Sequence, residues 1–157
     1  MHEIRRARPS DVDAVVELVH ALAAHEGAPE KCHLTPEQLH EALFRPAPAL
    51  YGHVATVDDH VVGYALWFLN FSTWRGTHGI YLEDVFVRAE HRGSGLGKAL
   101  LSTLAAECVA QGYTRLEWVV LESLASTIEF YKSIGAVPMA EWKLFRLTDE
   151  PLRRLGS

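Results

Sequence analysis

Between a strand-like run and a helix-like run the chain reads Arg92-Gly93-Ser94-Gly95-Leu96-Gly97. Three glycines there let the backbone turn tightly and aim its N–H groups at an anion, at the positive end of the helix that follows. A phosphate or pyrophosphate is the natural guest. Just upstream, Glu83 and Asp84 interrupt the apolar run Ile80–Val87. A carboxylate inside a strand is costly to bury unpaired, so it asks for a partner or a function.

Two nucleotide motifs resemble the glycine loop and fail in detail. A P-loop needs a glycine where Arg92 stands and a Ser or Thr where Ala99 follows Lys98. A dinucleotide fingerprint needs its third glycine one residue later than Gly97. A plain strand-to-helix turn would need one glycine, not three. No Gly-x-Ser-x-Gly elbow occurs, which disfavours a serine hydrolase. The nine histidines are scattered, His20 and His25 lack i,i+4 spacing, and no metal site is expected.

The elements that must position these residues are legible as periodicities. Glu3–Arg8 reads as a strand ended by Pro9, and Ser10 as the cap of a helix running to about His25 through Val12, Val15, Val16, Val19 and Leu22. Thr35-Pro36-Glu37-Gln38 opens a second helix that stops at Pro46. Tyr51–Val57 and Val61–Phe71 form a hairpin about Asp58-Asp59-His60, and Ile80–Val87 is another strand. Strict alternation would place Tyr81, Glu83, Val85 and Val87 on one face and Ile80, Leu82, Asp84 and Phe86 on the other. Asp84 accordingly reads as structural. Leu96, Leu100, Leu104 and Cys108 make one helical row, closed by Gly112. Arg115–Leu121 then reads as a strand, Ser126–Ile134 as a helix and Val137–Leu147 as a last strand. The pattern is that of one mixed α/β (α+β) domain over residues 1–157.

Composition bounds the function. The chain has 157 residues, 48% of them hydrophobic and 22% charged, enough for a real core. Its net charge is −5 and it has no basic cluster, against a nucleic-acid partner. No apolar stretch approaches the ~20 residues that span a bilayer, and the N-terminus lacks a secretory core, so a cytoplasmic location without membrane contact is expected. Cys32 and Cys108 have no metal-ligand spacing, and Cys108 falls on an apolar helix face as a small core residue.

Arg92, Gly95 and Gly97 occupy the fixed positions of the Q/R-x-x-G-x-G/A signature of the GNAT superfamily of N-acetyltransferases. The segments Tyr81–Val87, Arg92–Gly97, Phe130-Tyr131-Lys132 and Trp142–Phe145 together resemble its diamine (spermidine/spermine) N-acetyltransferase branch, in the same order over nearly the whole chain. The resemblance implies the GNAT fold, a mixed, mostly antiparallel central sheet flanked by helices. It implies acetyl-CoA as co-substrate, with Val85, Phe86 and Val87 pairing the pantetheine arm. Gly93, Ser94, Gly95, Leu96, Gly97 and Lys98 would hold the pyrophosphate through backbone amides, with Arg92 at the loop's start.

Tyr131 matches the family's general acid for the departing thiolate; read alone, it is also an ordinary residue of an amphipathic helix. An aliphatic amine has a pKa near ~10.4, so its proton must be removed before attack. Glu83 matches the family acid that binds the amine and takes this proton; a salt bridge to a nearby Arg is the other reading. His25 and Glu26 match a substrate-binding pair, Glu141 matches a further substrate acid, and Trp74 is a candidate wall of the amine site. Leu124 departs from the pattern, because many members carry Asn there to contact the cofactor. The expected reaction is direct acetyl transfer, in a ternary complex, to the primary amine of a polyamine, diamine or lysine-like molecule, by a homodimer. An acetyltransferase for an amino acid, antibiotic or protein lysine, or a non-catalytic acyl-CoA sensor, are the alternatives.

Overall fold

Runs of β-branched and aromatic residues form the strands, as their packing preference dictates. In the computed structural model, which describes every residue from Met1 to Ser157, they are β1 (His2–Arg6), β2 (Tyr51–Val57), β3 (His60–Ser72), β4 (Thr77–Val87) and β5 (Leu116–Glu117). They make one sheet in the order β1-β2-β3-β4-β5. The first four are antiparallel, while β5 lies parallel to β4. The mixed, mostly antiparallel sheet expected from sequence is therefore present. Asp58 and Asp59 turn β2 into β3 with φ of 49° and 67°, the left-handed pair that a two-residue hairpin requires.

Helix α1 (Val12–His25) does not begin at a Ser10 cap. A short 3-10 turn, Pro9–Asp11, precedes it, and Asp11 does the tying. Its carboxylate accepts from the Arg8 N–H at 2.7 Å and from the two terminal guanidinium nitrogens of Arg5 at 2.7 and 3.1 Å. Burial pushes the Asp11 carboxyl up, but these bonds outweigh it and hold it below its usual range. Helix α2 (Pro36–Phe44) starts with the expected reciprocal cap between Thr35 and Gln38. Helix α3 (Leu96–Gln111) ends at Gly112, in the left-handed conformation.

Helices α1 and α2 cover one face of the sheet, where Val15, Leu18 and Leu39 bury against Val54, Tyr64 and Leu66. The opposite face presents Ala55, Ala65, Trp67, Ile80 and Leu82, all buried, with α3 supplying Leu100, Leu104 and Cys108. A leucine as fully buried as Leu18 or Leu104 contributes ~1.5–3 kcal/mol.

The chain divides into two compact units, Met1–Val119 and Val120–Ser157. The second carries α4 (Ala125–Ser133), α5 (Asp149–Leu155) and the chain between them. The strand expected over Val137–Leu147 is absent. A strand exists by pairing its backbone, and none of the five strands pairs with this segment. Pro138, which has no N–H to give, sits near its start, and Val137, Trp142, Leu144 and Phe145 are exposed.

Candidate active site

The glycine loop is built to leave room. Gly93 and Gly95 have φ of 80° and 86°, and Gly95 caps α3. A Cβ added at Gly93, Gly95 or Gly97 would meet nothing within 4 Å. Their glycines are therefore explained by backbone conformation and by open space above them, not by internal packing. The first helical bond, Ala99 N–H to the Gly95 carbonyl, spans 2.9 Å, so the N–H groups of Leu96, Gly97 and Lys98 lie ahead of it. The first turn of α3 has no carboxylate to compete for them. Leu96 is buried beneath the loop, and the Ser94 hydroxyl donates to the His91 carbonyl at the surface. Arg92 braces the loop: its Nε–H donates to the Val87 carbonyl at 2.9 Å, and its guanidinium lies 5.0 Å from the Phe86 ring centre.

Strand β4 pairs with β5 only at Ile80 and Tyr81. From Leu82 to Val87 that edge meets no further strand, which leaves main-chain groups free to pair with an extended amide-bearing arm. On the other edge the register to β3 slips, with Leu66 opposite Asp84 but Trp67 opposite Leu82. Glu83 is the extra residue of a β-bulge. The bulge overturns the expected alternation. Leu82 pairs with Trp67 on the α3 face, whereas Asp84 pairs with Leu66 and Phe86 with Tyr64 on the α1 face. Leu82 and Asp84, two apart, thus point oppositely.

The bulge sets two acids in succession beside a third. Asp84 is half-buried, Glu83 exposed. Burial, then the neighbouring charges of Glu83 and Glu26, push the Asp84 carboxyl up to about 6, against a weaker opposing pull from the Tyr64 hydroxyl. Tyr64 is fully buried, and its hydroxyl donates to Asp84 Oδ2 at 3.4 Å. Burial first, then Asp84, pushes this phenol far above its ordinary range. Glu26 caps the C-terminus of α1, and the ring of His25 lies 6.1 Å from Phe86. His25, Glu26, Glu83 and Phe86 are thus gathered about the open part of β4, together with Asp84 and Tyr64, which the sequence reading did not assign to the site. The adjacent acids Glu83-Asp84 were the available signal for Asp84; no sequence signal marked Tyr64.

The remaining candidates are Trp74 in the first unit and Tyr131 and Glu141 in the second. Trp74 sits in the β3–β4 turn, 85% exposed, at the far end of β4 from Glu83, a span of ~20 Å at the rise of a strand. The second unit holds Tyr131 on α4, half-buried, its ring 5.7 Å from that of Phe130. Glu141 is exposed beside Trp142. Leu124 occupies the N-cap of α4 without a side-chain cap, a position where Asn is among the favoured residues.

An anion cradle on a helix N-terminus, an open strand edge and a cluster of acids equip an enzyme that transfers a group from a phosphorylated carrier. The model of the acetyltransferase (GNAT) family matches residues 16–136, and the chain belongs to that family. It is similar to the thialysine N-epsilon-acetyltransferase of Bos taurus, 31% identical over 165 residues, covering 98% of this chain and 96% of the relative. An L-ornithine N5-acetyltransferase of Arabidopsis thaliana is 28% identical over 199 residues, covering 98% and 87%. Among solved structures, an integron cassette protein from the mobile metagenome of V. cholerae superposes with a TM-score of 0.83 at 25% identity, covering 99% and 97%.

Proposed function

We propose that this acetyltransferase moves the acetyl group of acetyl-CoA onto the primary amine of a small cationic molecule, a lysine-like amine, diamine or polyamine. The observation that carries the reading is the gathering of Glu26, Glu83 and Asp84 around the bulge in β4, where an ammonium would offset three like charges. The thialysine and ornithine relatives favour a lysine-like acceptor.

Acetyl-CoA supplies an activated thioester, and the open space over Gly93, Gly95 and Gly97 fits its pyrophosphate. The amides of Gly93–Lys98 hold the phosphates, and the free edge at Val85–Val87 orients the arm. Glu83 binds the ammonium and accepts its proton, directly or through water. Glu26 and His25 hold the far end of the substrate, with Glu141 as a further candidate for that end. Tyr131 returns a proton to the departing sulfur. Residues 1–157 act as one acetyltransferase domain, a reading supported by a family match that runs across both units. We read it as a cytoplasmic homodimer. Light scattering in solution tests the oligomeric state directly.

The test is thiol release from acetyl-CoA across thialysine, lysine, ornithine, putrescine, spermidine and an uncharged-tail monoamine of equal length. The diamines should exceed the monoamine, and Glu83→Gln and Glu26→Gln should narrow the gap. A best acceptor that is anionic or lacks the second cation overturns the cation reading. Binding of acetyl-CoA without turnover of any amine favours the acyl-CoA sensor.

A further inference from the structure

Tyr64 occupies the middle strand of the sheet, its ring packed in the core under α1, with no exposure at all. A core position facing leucines and valines is served by phenylalanine at no cost, whereas a buried hydroxyl must find a partner. This one finds Asp84 Oδ2, at 3.4 Å. The contact exists because of the bulge. With Glu83 as the extra residue, Asp84 turns to the α1 face, the face on which Tyr64 lies.

We propose that Tyr64 is a positioning residue for acetyl transfer: its hydroxyl fixes the rotamer of Asp84 from beneath, so that the other carboxyl oxygen meets the substrate ammonium and Asp84 shares with Glu83 the removal of its proton. The proposal deepens the amine-acetyltransfer reading and rests on it. Asp84 is surrounded by Glu83 on its own strand, Glu26 from the end of α1 and Tyr64 from β3. Tyr64 in turn senses Asp84, Glu26 and Cys32. His25 and Arg92 flank Phe86, at 6.1 and 5.0 Å from its ring, while the charges that act on Asp84 are those of Glu83 and Glu26, which an arriving ammonium would offset. A phenol pushed far up stays protonated, and to the ionised Asp84 carboxylate it donates. Its bond favours the ionised carboxylate, against burial and two neighbouring acids. At 3.4 Å the bond is long for O–H···O, and bonds of this kind commonly tighten when substrate binds.

The test compares pH profiles of kcat/KM for a diamine in wild type, Tyr64→Phe and Asp84→Asn, each checked for folding by circular dichroism. Wild type should lose activity below about 6, where Asp84 protonates. Tyr64→Phe keeps the ring and removes the donor, so the acid limb should move up by roughly half a pH unit or more. Asp84→Asn should abolish the limb. As a readout apart from activity, the carboxyl carbon resonance that vanishes in Asp84→Asn should titrate at higher pH in Tyr64→Phe. A limb and a resonance unmoved in folded Tyr64→Phe overturn the proposal, as does a limb that survives Asp84→Asn and disappears in Glu83→Gln. Either result leaves acetyl transfer intact. If wild type acetylates no amine, the functional reading itself fails, and the resonance still decides whether Tyr64 controls Asp84.

Discussion

Arg92 donates its Nε–H to the carbonyl oxygen of Val87 across 2.9 Å, and in doing so ties the glycine loop to the end of β4. The same guanidinium covers the Phe86 ring at 5.0 Å. One side chain therefore sets the loop proposed to take phosphate relative to the strand edge proposed to take the acyl arm. Arg92→Gln loses the stacked cation and the fixed donor, together worth about 1–2 kcal/mol. The KM for acetyl-CoA should rise roughly five- to thirtyfold, with little change in KM for the amine. Steady-state kinetics with each substrate varied in turn checks this.

Gly95 separates backbone strain from cofactor exclusion. At φ 86° any side chain costs about 1 kcal/mol, although a Cβ has free space. Gly95→Ala should therefore melt a few degrees lower and still bind acetyl-CoA. Gly95→Glu should pay the same strain and lose binding, because a carboxylate occupies the anion's place. Calorimetric titration with acetyl-CoA distinguishes them; equal binding by both moves the cofactor site elsewhere.

Tyr131→Phe removes the proposed proton donor and keeps the ring that packs beside Phe130. Acid–base groups contribute on the order of 10²–10⁴-fold, so kcat should fall by that much while acetyl-CoA affinity holds. An unchanged kcat under rate-limiting chemistry returns Tyr131 to a packing role.

Asp84 links the site to stability. Its folded pKa, about 6, stands above the ordinary 3.8. The folded state then holds the proton more tightly than the unfolded one, so stability falls as pH rises from about 4 through about 6. The cost at pH 8 is on the order of 1–3 kcal/mol. Asp84→Asn should melt higher than wild type at pH 8 and equally near pH 4. A saturating diamine should close the gap at pH 8 by stabilising wild type. Thermal scans at the two pH values decide it; a variant less stable than wild type at pH 8 refutes it.

How much of this was legible in the sequence follows from how local each cause is. Gly95 and Gly112 need φ that only glycine adopts freely, and Thr35 and Gln38 cap each other across three residues, so these positions could be read directly. The bulge could not. It depends on how β3 and β4 slide against each other, a relationship between Leu66–Trp67 and Leu82–Asp84 that no single segment encodes. Assigning Asp84 to the same face as Leu82 followed from that alone. Val137–Leu147 failed for the converse reason: it has the composition of a strand and none of the five strands pairs with it. The helix α5 was missed although Asp149 and Glu150 open it and Arg153 and Arg154 close it, because seven residues give periodicity too little length.

The bulge at Glu83 carries one more consequence. With that residue set aside, Leu82 and Asp84 become ordinary neighbours and inside-outside order runs unbroken from Ile80 to Val87. Both ends of β4 should therefore keep their partners if Glu83 is removed. The acid proposed to bind the amine is thus the one residue of β4 without a register partner on β3. A chain with Glu83 deleted should fold around the same core and lose its amine chemistry, so that the scaffold and the trade practised on it can be gained or lost separately, one codon apart.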